Sequence, residues 1–152
     1  MGELTIYGTF MFLTMYTMLI YCAYTDVKTM TLKNYATIPV WFIGMGLNYL
    51  ESGINGLQAS LLGLVVMFLL FLLPYLFNQL GAGDVKLVMA LGALMGTHYA
   101  AGVIITGSIL AAVYAVWKWF KTRSKTIQFP YGLFICLGAF LYEGMILLMY
   151  LQ

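Results

Sequence analysis

Asp26 and Asp84 are the residues of this chain best suited to chemistry. Asp84 follows Gly81-Ala82-Gly83 and closes an uncharged run over 52–83, in a chain with only 8% charged residues. A carboxylate at membrane depth costs roughly 2.5–3.5 kcal/mol on insertion scales, so one that persists there points to function. The flanking glycines let a second backbone come close, which points to chemistry on peptide bonds. Two carboxylates brought together cannot both ionise easily, so the pair shares a proton. The ionised member takes a proton from water; the protonated member donates to the carbonyl oxygen and later to the leaving amine. No metal, cofactor or covalent intermediate is required. The chain has one histidine and no His/Cys/Glu cluster with ligand spacing, so no metal site is expected. It has no G-x-S-x-G motif, and His98 is expected on the opposite face from Cys22 and Cys136. The two cysteines read as small buried hydrophobes.

The elements that must position the aspartates are membrane helices. The 152 residues are 63% hydrophobic with a mean hydropathy of +0.95, against about 45–50% apolar in soluble domains. At about 20 residues per crossing, the length allows six spans in one domain, 1–152, and nothing else. An all-α polytopic protein is expected, with spans at 4–24, 35–50, 57–77, 85–95, 99–120 and 129–151. Polar links fall at 25–33, 51–56, 78–83 and 118–128, and Gly96-Thr97-His98 is the expected break between spans four and five. The fourth helix is short, about 17 Å against a hydrocarbon core of about 30 Å. Pro39 falls near the start of the second span, where its missing N–H costs least, and Pro74 frays the end of the third. The first segment reads as an anchor rather than a removable signal peptide. Its flank carries Glu3 and no basic residue, and no small-residue cleavage pattern follows.

Charge sets the orientation. Lys28, Lys33, Lys86, Lys118, Lys121, Arg123 and Lys125 all fall in or beside the links after spans one, three and five. The positive-inside rule makes that side cytoplasmic and turns both termini outward. Asp26 and Asp84 then share the cytoplasmic face at similar depth. Glu3 and Glu51 lie outside, and Glu143, in the outer half of the last span, is expected to pack or face water without a catalytic part. The basic residues serve topology and anionic lipid; the bilayer is an expected partner, and no nucleic acid is.

Gly-Ala-Gly-Asp-Val-Lys at 81–86 resembles the G-x-G-D signature of the type IV prepilin peptidases and preflagellin peptidases. Tyr-Thr-Asp-Val-Lys at 24–28, followed by Asn34, resembles that family's first aspartate motif, with Thr-Leu-Lys-Asn where the family has Ile-Pro-Asn. Pro130-Tyr131-Gly132, with Cys-Leu-Gly-Ala at 136–139, resembles the proline motif that opens its last helix. The resemblance covers nearly the whole chain. It implies a membrane aspartic endopeptidase with Asp26 and Asp84 as the catalytic pair. The implied activity removes the leader from prepilin, pseudopilin or archaellin-like precursors at the cytoplasmic membrane face of a prokaryote. Larger members also methylate the new N-terminus and carry paired C-x-x-C motifs in an N-terminal domain. Those cysteines are missing here, so protease activity without methyl transfer is expected.

Five further residues are candidates for binding substrate or shaping the site. Gly81 and Gly83 set the backbone beside Asp84. Lys86 is open to two readings, a partner for an acidic group or a snorkelling lysine that sets topology. Asn34 is a substrate contact or a cap, and Pro130 starts the last helix. Gly92-x-x-x-Gly96 is a pattern for close helix packing. Rival functions are a small proton- or cation-coupled transporter or channel, a non-catalytic subunit of a secretion machine, and a presenilin-like intramembrane protease. A conduit calls for ionisable groups near the midplane, whereas these cluster at one face.

Overall fold

The computed structural model describes residues 6–122 and 130–151. Glu3, Arg123 and Lys125, and the first residues of the first and last expected spans (4–5 and 129), lie outside the described residues. Four α-helices follow one another: α1 (Ile6–Thr29), α2 (Asn34–Leu76), α3 (Ala82–Thr122) and α4 (Tyr131–Tyr150). All four are long and apolar enough to cross a membrane. Large apolar side chains such as Phe42, Leu62, Ile105 and Met149 stand exposed on the outside. In water such a surface is an aggregation patch; against lipid tails it is matched to its solvent.

α2 and α3 hold 43 and 41 residues. Straight helices of that length measure about 64 and 61 Å, twice the hydrocarbon core. Neither is straight. Gly53 (φ 62°, ψ −140°) interrupts α2, and Gly96 (φ 78°, ψ 171°) interrupts α3. Only glycine takes these angles without strain. A Cβ on Gly56 would overlap the Asn48 carbonyl, although a straight helix separates those residues by about 12 Å. The chain therefore doubles back at Gly53.

The two halves of α2 grip the same segment of α3. A Cβ on Gly44 would lie 2.8 Å from the Ala93 carbonyl oxygen, and Asn48 Nδ2 donates to the Leu94 carbonyl at 3.1 Å. From the other half, the Ser60 hydroxyl donates to Ala93, and Gly63 meets Gly92 backbone to backbone. Beyond Gly96, α3 pairs with α4 in antiparallel fashion. Tyr99 stacks edge-on against Tyr142, Gly107 abuts Phe134 and Gly138, and Ser108 bonds the Tyr131 hydroxyl at 2.7 Å. Leu87, Val88, Leu91 and Leu94 are fully buried, so the first half of α3 is the central post of the bundle. In lipid, helices gain nothing by hiding apolar surface from one another, and small residues that bring backbones together take over.

Several expected boundaries move. The links at 51–56 and 96–98 shrink to one glycine each, with helix on both sides. The polar stretch from residue 25 is helical as far as Thr29, because Thr25 and Thr29 hydroxyls bond back to the carbonyls of Cys22 and Thr25. Met30, at φ 49°, ends α1. α3 starts at Ala82 rather than at 85, which puts Asp84 in its first turn. Gly92 makes the close helix contact anticipated for the G-x-x-x-G pair. Gly96 does not: a Cβ there meets nothing within 4 Å, and the residue serves as the break.

Replacing Gly63 with Leu forces α2 off Gly92. A loss of about 1–3 kcal/mol is expected, typical of overpacking. It is measured as a lower melting temperature in detergent against Gly46→Ala, a site with nothing within 4 Å of a new Cβ.

Candidate functional site

Asp26 lies near the end of α1 and is buried, with 6% of its surface exposed. Its carboxylate reaches the opening of α4, where the Gly132 N–H donates to Oδ2 at 2.7 Å. The Leu133 N–H points to the same group. The first N–H groups of a helix have no partner within it, and they carry the positive end of the helix dipole. Pro130 is the residue before α4, extended at φ −73° and ψ 92°; it lacks the N–H that would compete and sets the entry angle. A Cβ on Gly132 would lie 3.0 Å from Asp26 Oδ2, so a side chain there would press on the carboxylate.

Asp84 is half-buried in the first turn of α3. Its Oδ2 accepts the Gly81 N–H at 3.0 Å, and its own N–H returns to the Gly81 carbonyl at 3.1 Å. The Gly-Ala-Gly segment is thus folded tightly around the carboxylate. A Cβ on Gly83 would come within 2.7 Å of Leu32 Cβ, so glycine there admits the link between α1 and α2.

Both aspartates line one cavity of about 300 Å³, and each lies within electrostatic reach of the other. Met30, Thr31 and Leu32 form one wall, Gly81 to Gly83 another, and Asn34 and Lys86 complete the lining. Lys86 Nζ donates to Asn34 Oδ1 at 2.8 Å, tying the start of α2 to the start of α3. Of the residues singled out in the sequence, Asp26, Asp84, Gly81, Gly83, Lys86 and Asn34 all meet here. Pro130 stands behind the site and acts through Gly132. A larger cavity of about 470 Å³ lies between α1 and α2, walled by residues such as Leu13, Met18, Val40 and Ile43. No carboxylate lines it, which makes the smaller cavity, with its two, the candidate site.

Sequence reasoning missed three features. Gly132 anchors Asp26, a role that Pro-x-Gly at a helix start could have signalled. Leu32 covers Gly83, which no pattern announces. Glu143, expected to pack or face water without a catalytic part, does pack, but its partners are new: it accepts hydrogen bonds from the Tyr16 and Tyr99 hydroxyls. It joins α1, α3 and α4 about 16 Å along α4 from Gly132, at 1.5 Å per residue.

Fold and cavity define an all-helical integral membrane protein with two carboxylates in one pocket at one end of the bundle. The type IV leader peptidase family matches residues 13–116, and the chain belongs to that family. A prepilin leader peptidase/N-methyltransferase of Vibrio cholerae is 28% identical over 137 residues, covering 86% of this chain and 51% of its own length. A protein of the same description from Xanthomonas campestris is 27% identical over 122 residues, covering 75% of this chain and 42% of its own length. The chain therefore spans about half the length of these relatives, or less. No solved structure matches it.

The contact between Leu32 and Gly83 can be tested directly. Gly83→Val drives a side chain into Leu32, whose Cβ a bare Cβ at position 83 would already meet at 2.7 Å. A loss of about 1–3 kcal/mol is expected, typical of overpacking, measured as a lower melting temperature in detergent. A Gly83→Val variant as stable as the parent would remove the wall assigned to this link.

Proposed function

We propose that this chain is a membrane-embedded aspartic endopeptidase that removes the leader from type IV prepilin-like precursors, with Asp26 and Asp84 as the catalytic pair. The observation that carries the reading is their shared cavity. Water between the carboxylates gives a proton to the ionised one as its oxygen adds to the scissile carbonyl carbon. The protonated one delivers its proton to the carbonyl oxygen. The C–N bond then breaks as the leaving nitrogen takes a proton from the pair. The prepilin-like substrate is suggested by the relatives, which are prepilin leader peptidases.

The topology we propose has six crossings, with α2 and α3 each crossing twice, a short segment at 82–95, and both termini on the outer side. Reversal at Gly53 supports it, and so does the run of α3 along α4 beyond Gly96. The seven basic residues assign the aspartate end to the cytoplasm. That end is where a leader still attached to its precursor would be met. The transporter reading is weaker because neither aspartate lies midway along its helix.

Asp26→Asn and Asp84→Asn should each abolish processing of a co-expressed prepilin, read as retention of the longer form on a gel. Both variants should still insert and elute as folded protein in detergent. Full processing by either would remove the two-aspartate mechanism. Chelator should leave processing intact; loss restored by zinc would replace the mechanism with a metal-dependent one.

A further inference from the structure

We propose that Asn34 donates the hydrogen bond that holds the carbonyl oxygen of the scissile peptide, and that Lys86 is the positioning residue that turns its amide toward the cavity. The proposal rests on the two-aspartate reading and adds a third group to it. An ammonium carries only donors, so the Asn34 atom 2.8 Å from Lys86 Nζ must be the amide oxygen. The side chain's orientation, usually ambiguous between O and N, is thereby fixed by chemistry. The amide nitrogen, with two N–H groups, is turned away from Lys86. Asn34 lines the cavity that Asp26 and Asp84 share.

The alternative duty for Asn34, capping α2, is already excluded by position. Asn34 is the first residue of α2, Lys33 occupies the cap, and no side chain bonds the helix N–H groups there. The tie also joins residues 52 apart in sequence, so it belongs to the assembled site rather than to local structure. As water adds and the carbonyl π pair moves onto oxygen, charge builds there until the protonated aspartate delivers its proton. An N–H held in place stabilises that charge and steadies the carbonyl during attack. The two aspartates are occupied with proton transfer, and Gly81 and Gly132 already donate to them.

The test uses the full chain in detergent with a purified prepilin bearing its leader. Asn34→Asp retains an acceptor for Lys86 but has no N–H to give. It should lower kcat about 100-fold or more, as loss of one such donor does elsewhere, while KM moves far less. Lys86→Met removes the donor to Asn34 Oδ1, freeing the amide without removing it, and should lower kcat by less. Combined with Asn34→Asp it should add almost nothing, because both act through one hydrogen bond. Asn34→Gln, which restores an amide, should recover part of the rate lost in Asn34→Asp. Wild-type kcat in Asn34→Asp overturns the donor role, as does a Gln variant no faster than the Asp variant. A fully additive double variant overturns the role given to Lys86. If Asp84→Asn is inactive while Asn34→Asp is fully active, this proposal fails and the aspartate pair stands. An active Asp84→Asn removes the aspartate pair instead.

Discussion

A carboxylate removed from water must find donors, because leaving it without them costs several kcal/mol. Asp26 finds its donors at the other end of the chain, in the opening N–H groups of α4. Much of the fold follows from that bond. α1 and α4 must be neighbours and antiparallel, so that the end of one meets the start of the other. Tyr16, ten residues before Asp26, then reaches Glu143, eleven residues beyond Gly132. The two contacts fix the relative slide of the helices at both ends. The first half of α3 fills the space beside them and brings Asp84, in its first turn, into the cavity that Asp26 lines.

The packing that supports this is made largely by backbone. Gly63 on Gly92, Gly44 on Ala93 and Gly107 on Gly138 bring helix axes closer than side chains would allow. Close approach also exposes carbonyl oxygens to neighbouring donors, and Asn48, Ser60 and Thr106 each bond to a carbonyl of another helix or half-helix. Where lipid is the solvent, such contacts replace the hydrophobic drive that joins helices in water. Rigid supports of this kind suit a site whose two acids come from separate helices and must keep a fixed separation.

Composition alone reveals the helical membrane class, since 63% apolar residues with few charges leave little else. The two aspartates are legible because each is a rare acid at the edge of an apolar run. Their neighbours are legible only one at a time. Asn34 and Lys86 can each be named as candidates, but their pairing depends on how α2 meets α3, which residue types do not encode. Helix ends at 25–33 were misjudged because threonine reads as loop-forming, while here its hydroxyls satisfy carbonyls of the preceding turn. The turns at Gly53 and Gly96 read as longer links because polar residues cluster around them. A single residue at positive φ reverses the path, and nothing in composition separates that from a six-residue loop. Glu143 is expected to pack or face water, but its partners, Tyr16 and Tyr99, are far away in sequence and ordinary in a greasy chain, so no pattern names them.

The one-residue reversals have a practical corollary. At the end of the bundle remote from Asp26 and Asp84, the described chain turns through Gly53 and Gly96 with no spare length. Among the described residues the links with slack, at 30–33 and 77–81, sit beside the carboxylates, and α3 departs and α4 arrives on that side too. A residue inserted into either link would thus change the rim of the acidic pocket, because Met30, Thr31, Leu32 and Gly81 are part of its lining. The helix contacts at Gly63, Gly92 and Gly107 lie outside those links, so the scaffold and the rim can be altered separately.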